Sequence, residues 1–156
     1  MEIKIEEKNK ELALIDIETY VFKNPFSEYV PEDNVGIESI SFDDEITRID
    51  FIYISKEEFG NSSWVKIERN SFIRPVGSDI KYSLIKAINI PYAPSKHFFK
   101  CAGQVLRYTL LFPALPKSTK EIDIVEKLAP GNYFNFFRVK LNNKQPLLVS
   151  IGNNFN

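Results

Sequence analysis

One cysteine, one histidine, one tryptophan and one methionine occur among the 156 residues. A lone Cys101 excludes an intrachain disulfide and a thiolate metal cluster. Glycine is scarce too, at six residues, whereas the corners of closed barrels usually need more glycine kinks. No apolar run approaches the roughly 20 residues of a membrane-spanning helix. Basic and acidic side chains nearly cancel, 20 against 21, for a net charge of -1. Such a chain has no basic field to neutralise phosphates, which argues against nucleic acid as a partner. With 44% hydrophobic and 26% charged residues it is also unlike a disordered chain. What remains is one globular domain, long enough to bury a core without covalent staples.

What is present is a period of two. Ala13, Ile15, Ile17, Thr19 and Val21 alternate with Leu14, Asp16, Glu18 and Tyr20, as in a half-buried strand. Pro25 and Pro31 mark residues 23–34 as a loop. A strand over 35–42, the acidic turn Asp43-Asp44-Glu45 and a strand with Thr47, Ile49, Phe51 and Tyr53 on one face make a hairpin. Further strands are expected over 64–72, 105–112, 122–125, 133–141 and 146–151. Residues 79–89 fit either period, and a strand or an irregular crossing is expected there, with at most one short helical turn. The expected domain is an all-β antiparallel sandwich of about eight or nine strands over 12–141. Residues 1–11 form a charged extension or first edge strand, and 142–156 an edge strand or tail. No secretory signal is legible after Met1. The expected compartment is cytoplasmic if Met1 is native, and periplasmic or envelope if a leader was removed.

From Gln104 to Pro116 the chain reads Gln-Val-Leu-Arg-Tyr-Thr-Leu-Leu-Phe-Pro-Ala-Leu-Pro, followed by Lys117-Ser118-Thr119-Lys120-Glu121-Ile122-Asp123-Ile124-Val125-Glu126. A strand ending in Phe-Pro-x-Leu-Pro, then Thr-x-x-Ile-Asp, a Glu and an aromatic strand over 133–141, resembles modules in envelope and secreted proteins of the Bacteroidetes lineage. The resemblance spans residues 35–141. It implies an immunoglobulin-like sandwich, and such modules share neither an enzymatic activity nor a ligand site.

The candidate chemistry is sparse. His97 and Cys101 stand four apart, about 13 Å along a strand, too far for a thiolate pair. Ser63-x-x-Lys66 and Ser83-x-x-Lys86 match the Ser-x-x-Lys pattern of penicillin-recognising enzymes without its partner motifs. Asp43, Asp44 and Glu45 offer oxygen ligands for calcium, but their spacing is not that of an EF-hand loop, and solvated turn formers are the simpler reading. Asp16 and Glu18 share a strand face, as paired carboxylates of a glycoside hydrolase can, but the polar face of an edge or outer strand is the simpler reading. Asp123 and Glu126 read as turn and edge polarity.

The aromatic residues carry the strongest signal. Strict alternation over 133–141 puts Tyr133, Phe137, Val139 and Leu141 in the core and Phe134, Phe136, Arg138 and Lys140 on the other face. An exposed Phe134 and Phe136 rimmed by cations would make an interaction patch. Trp64, Tyr92 and Tyr133 are candidate platforms for stacking sugars. The expected function is therefore non-catalytic. A protein partner held at a sheet edge (12–22 or 146–151) or by Phe134, Phe136 and Arg138 comes first. Polysaccharide binding by Trp64 and its neighbours is the alternative, a hydrolase the last. No cofactor is expected.

Overall fold

The structure, a computed structural model, describes residues 4–6, 13–15, 19–56, 63–141 and 147–149, the first two segments and the last by backbone alone. Among these residues every regular element is a strand. In chain order they are β1 (Lys4–Glu6), β2 (Ala13–Ile15), β3 (Thr19–Lys23), β4 (Ser27–Tyr29), β5 (Val35–Phe42), β6 (Ile46–Ile54), β7 (Trp64–Val65) and β8 (Phe72–Pro75). There follow β9 (Tyr82–Ser83), β10 (Lys86–Ile88), β11 (His97–Phe98), β12 (Val105–Pro113), β13 (Glu121–Val125), β14 (Phe136–Lys140) and β15 (Leu147–Val149). These are more numerous and shorter than the eight or nine strands expected. No helix of the described residues is long and apolar enough to cross a membrane.

All strand pairs are antiparallel. A six-stranded sheet runs β10-β12-β6-β5-β3-β15 and a five-stranded sheet β4-β14-β13-β8-β9, with two-stranded pairs β1-β2 and β11-β7 beside them. Among the described residues the end strands of both large sheets pair on one side only, so neither sheet closes into a barrel.

Alternation explains the central strands. Thr47, Ile49, Phe51 and Tyr53 of β6 are buried, as are Leu106, Tyr108, Leu110 and Phe112 of β12. The five-stranded sheet sends Ile73, Ile122, Ile124, Phe136 and Val139 into the same core. Phe51 meets Phe136 with ring centroids 5.6 Å apart, joining the two sheets in a sandwich-like arrangement. The β5–β6 turn forms where the sequence places it: Asp43 Oδ1 accepts the backbone N–H groups of Glu45 (2.8 Å) and Ile46 (3.0 Å).

Three local expectations need correction. The loop over 23–34 contains β4, which pairs with β14 despite the flanking prolines. The strand over 64–72 is two strands, β7 and β8, in different sheets and separated by a turn at Arg69 and Asn70. Over residues 79–89 the expected strand or irregular crossing is what forms, without the helical turn that the sequence allows. These residues hold β9 and β10 on different sheets, with Leu84 and Ala87 against the core and Ile80, Ile85 and Ile88 exposed.

The third correction concerns 133–141. Ile122 pairs with Val139 but Ile124 with Phe136, so β14 spends three steps where β13 spends two. This is a β-bulge at Phe137 and Arg138, with Arg138 left-handed at φ 54°. The extra residue reverses the parity of the strand. Phe136 therefore turns inward at 1% exposure and shares the core with Val139, instead of flanking Phe134 on the surface.

Candidate functional site

A cleft of about 380 Å³ opens beside the end of β13. Its walls include Trp64, Lys66, Glu126, Tyr133, Phe134 and Glu32. They come from separate stretches of the chain. β7 and the residue after it supply Trp64 and Lys66, β13 runs directly into Glu126, and the loop over 127–135 supplies Tyr133 and Phe134.

Glu126 is the floor of this arrangement. It continues the inward face of Ile122 and Ile124, and only 4% of it is exposed. A buried carboxylate needs partners for its oxygens. Oε1 accepts the Phe134 N–H at 2.8 Å, and Oε2 accepts the Glu68 N–H at 3.0 Å and the Lys66 ammonium at 3.2 Å. The same carboxylate thus ties the β7–β8 connection to the loop over 127–135. Burial pushes its pKa above the ordinary 4.5, against the opposing pull of the Phe134 N–H and Lys66. For Lys66 burial acts downward, but the hydrogen bond to Glu68 (2.9 Å) and the charge of Glu126 outweigh it, so its pKa is raised. The hydrogen bond from Lys66 lowers that of Glu68.

The loop that presents Tyr133 is closed locally. Asn135 Oδ1 accepts the N–H of Glu126 (2.7 Å) and of Lys127 (3.2 Å), and Asn135 Nδ2 donates to the Lys127 carbonyl (2.9 Å). Gly131 has φ 131°, and a Cβ there would lie 3.1 Å from Tyr133 Cε2, so glycine lets the chain pass close to the ring. Lys66 Nζ sits 4.7 Å and Lys127 Nζ 5.4 Å from the Tyr133 ring centroid, while Lys96 Nζ lies 4.1 Å from that of Trp64. Trp64 remains 41% exposed. At the rim, Lys56 bridges Glu32 and Asp33, each at 3.3 Å.

The residues singled out from the sequence fare unequally. Trp64, Tyr133 and Phe134 converge on the cleft. Phe134 is half-buried, stacked on Tyr108 and edge-on to Tyr53, and is not an exposed platform. Phe136 is core. Arg138 belongs to the bulge, its guanidinium 3.7 Å from Glu28. Tyr92 is occupied, since its hydroxyl accepts the Ala87 N–H at 2.8 Å and Arg69 covers its ring at 4.0 Å.

The acidic candidates separate in the same way. Asp43 caps its turn and Asp44 pairs with Lys117 at 3.2 Å. Among the described residues no group of three His, Cys, Asp or Glu side chains is placed to hold a metal ion. Asp16 and Glu18 lie outside the described residues. Asp123 and Glu126 are both buried, which corrects their reading as edge polarity. Ser63 is buried and Lys66 is committed to acids, while Ser83 and Lys86 sit on separate sheets. His97 packs edge-on to Phe99, and Cys101 lies exposed in the following turn.

Sequence reasoning missed Glu126, Lys66, Glu32 and Lys56 as one constellation. One signal was available: Glu126 falls in step with Ile122 and Ile124, and an acid continuing an apolar face marks a buried carboxylate. No protein-family model, curated protein or solved structure matches this chain.

Proposed function

We propose that this chain is a non-catalytic, immunoglobulin-like binding module whose ligand site is the cleft between Trp64 and Tyr133, and that the ligand is a saccharide. One observation carries this reading: an exposed indole and a tyrosine ring line the same concavity, above a buried and fully hydrogen-bonded Glu126. Aromatic faces stack on the apolar faces of sugar rings, and nearby polar groups fix their hydroxyls. The hydrogen bonds of Glu126 and Asn135 hold the walls in place, which lowers the ordering cost of binding.

The test uses Trp64 as its own reporter, because it is the sole tryptophan. Its emission is expected to start red-shifted and to change on titration with polysaccharides. Retention in affinity electrophoresis is expected to vanish for Trp64→Ala and for Tyr133→Ala. Emission insensitive to every glycan overturns the reading.

A protein-binding adaptor is the second reading, now favoured by a different surface. β10 is the last strand of the six-stranded sheet among the described residues, its Ala87 N–H held by the Tyr92 hydroxyl, and Ile85 and Ile88 beside and on it are 56% and 41% exposed. An apolar segment of a partner would cover both. Under this reading, a cross-linked stoichiometric partner is lost on Ile85→Asp and Ile88→Asp, while glycan retention is unaffected.

A further inference from the structure

Two lysines line the cleft, and two others lie over the rings of its aromatic walls. Lys56 and Lys66 line it but are neutralised, the first by Glu32 and Asp33, the second by Glu68 and Glu126. These ion pairs are part of the wall. Lys96 and Lys127 are exposed and form no ion pair among the described residues. Each instead rests its ammonium over one of the two aromatic rings, Lys96 on Trp64 and Lys127 on Tyr133. Lys127 also acts through space on Glu68, helping to lower its pKa.

An ammonium over an exposed ring is weakly held. It moves readily to a full negative charge, which forms a shorter and stronger charge-assisted bond. A neutral sugar stacking on the covered face of Trp64 would displace Lys96 and offer its charge nothing in return. A sugar bearing an anionic group would take the ring face and the displaced ammonium together. With one such cation at each platform, two charges spaced along an oligosaccharide would be met at once.

We propose that the ligand of the cleft is an acidic saccharide, carrying carboxylate or sulfate groups, and that Lys96 and Lys127 are the residues that read its charge. This rests on the cleft being a saccharide site. Carboxylate and sulfate present the same acceptor chemistry to an ammonium, so matched ligands distinguish them.

The experiment titrates the full chain, by Trp64 fluorescence and calorimetry, with two matched pairs. One is hexagalacturonate and its fully methyl-esterified form; the other is a sulfated galactan oligomer and its desulfated form. The acidic member of at least one pair is expected to bind tenfold or more tighter at low salt, and to weaken as salt rises. The pair that shows the preference identifies the anionic group. The double variant Lys96→Gln, Lys127→Gln alters only exposed side chains, and its circular dichroism checks the fold. It is expected to bind the acidic member no better than the neutral one, with neutral binding no weaker than in the parent. Equal affinity for both members of each pair overturns the acidic class and leaves the saccharide site standing. Preference for the acidic member that survives the double variant also overturns it, since other residues would then read the charge. Failure of all four ligands to bind overturns the acidic class and the saccharide reading together.

Discussion

Asp123 Oδ1 accepts the backbone N–H of Arg138 at 3.0 Å, while its Oδ2 accepts Arg74 Nε at 3.2 Å. One buried carboxylate thus holds the bulge that turns Phe136 into the core. Asp123→Ala removes the charge-assisted acceptor shared by the Arg138 N–H and Arg74, and is expected to cost about 2–3 kcal/mol. Arg138 has a left-handed backbone that disfavours a side chain, so Arg138→Gly is expected to stabilise by up to about 1 kcal/mol. Urea midpoints at constant slope measure both. A destabilising Arg138→Gly would mean that the Glu28 contact outweighs the backbone strain.

The Glu126–Lys66 pair makes stability depend on pH in a defined direction. Burial raises the pKa of Glu126 above 4.5, so the folded chain binds this proton more tightly than the unfolded chain does. Its stabilising contribution is therefore fully present below 4.5 and is lost as pH rises through the raised folded value. Glu68, lowered by its hydrogen bond from Lys66, has the opposite sign: its contribution is lost only as pH falls through a value below 4.5. Lys66, raised above 10.5, contributes below that pH and loses its contribution as pH climbs through the folded value. The stability of the parent relative to Glu126→Gln should thus decline from pH 4.5 upward and then level off. Denaturation of both proteins across that range checks the slope, and a difference that grows with pH would reverse the assignment.

The parts of the fold that could be read from the sequence are those where alternation runs uninterrupted. Thr47, Ile49, Phe51 and Tyr53 read as one face and are buried together, and the Asp43 turn between β5 and β6 follows from its residues. Elsewhere a single residue changes the answer. Period-two reasoning carried past Arg138 assigns Phe136 to the wrong face, because a bulge adds one step and flips everything beyond it. The cleft was legible only in fragments. Trp64 and Tyr133 stood out as aromatic residues, but Glu32 and Glu126 meet them through long-range pairing that no local spacing encodes.

Phe134 and Phe136 should differ in their response to truncation. Phe136 is 1% exposed and packed on Phe51, so Phe136→Ala opens a cavity between the sheets and is expected to cost about 3–5 kcal/mol. Phe136→Leu, should the alanine variant not fold, is expected to lose a smaller part of that. Phe134 is half-buried at the cleft wall, and Phe134→Ala is expected to cost about 1–2 kcal/mol by lost apolar burial. Thermal or urea denaturation ranks the three. Equal losses for the two alanine variants would place Phe134 in the core with Phe136.

Tyr108 offers the reverse case, a side chain whose polar atom is expected to harm stability. Its ring stacks on Phe51 at 4.9 Å and on Phe134 at 6.0 Å, at 2% exposure. Its hydroxyl has no hydrogen-bond partner among the described residues. Burial, with the nearby charge of Glu126, pushes the phenol pKa well above its ordinary 10.0, so the group stays neutral while the protein is folded. A buried hydroxyl without a partner carries its desolvation cost uncompensated. Tyr108→Phe keeps the ring and its stacking and removes only that cost. It is expected to stabilise the fold by about 1 kcal/mol, read as a rise in the urea midpoint. A loss of stability of that size would instead reveal a partner for the hydroxyl, and would make Tyr108 a polar anchor between the core and the buried Glu126.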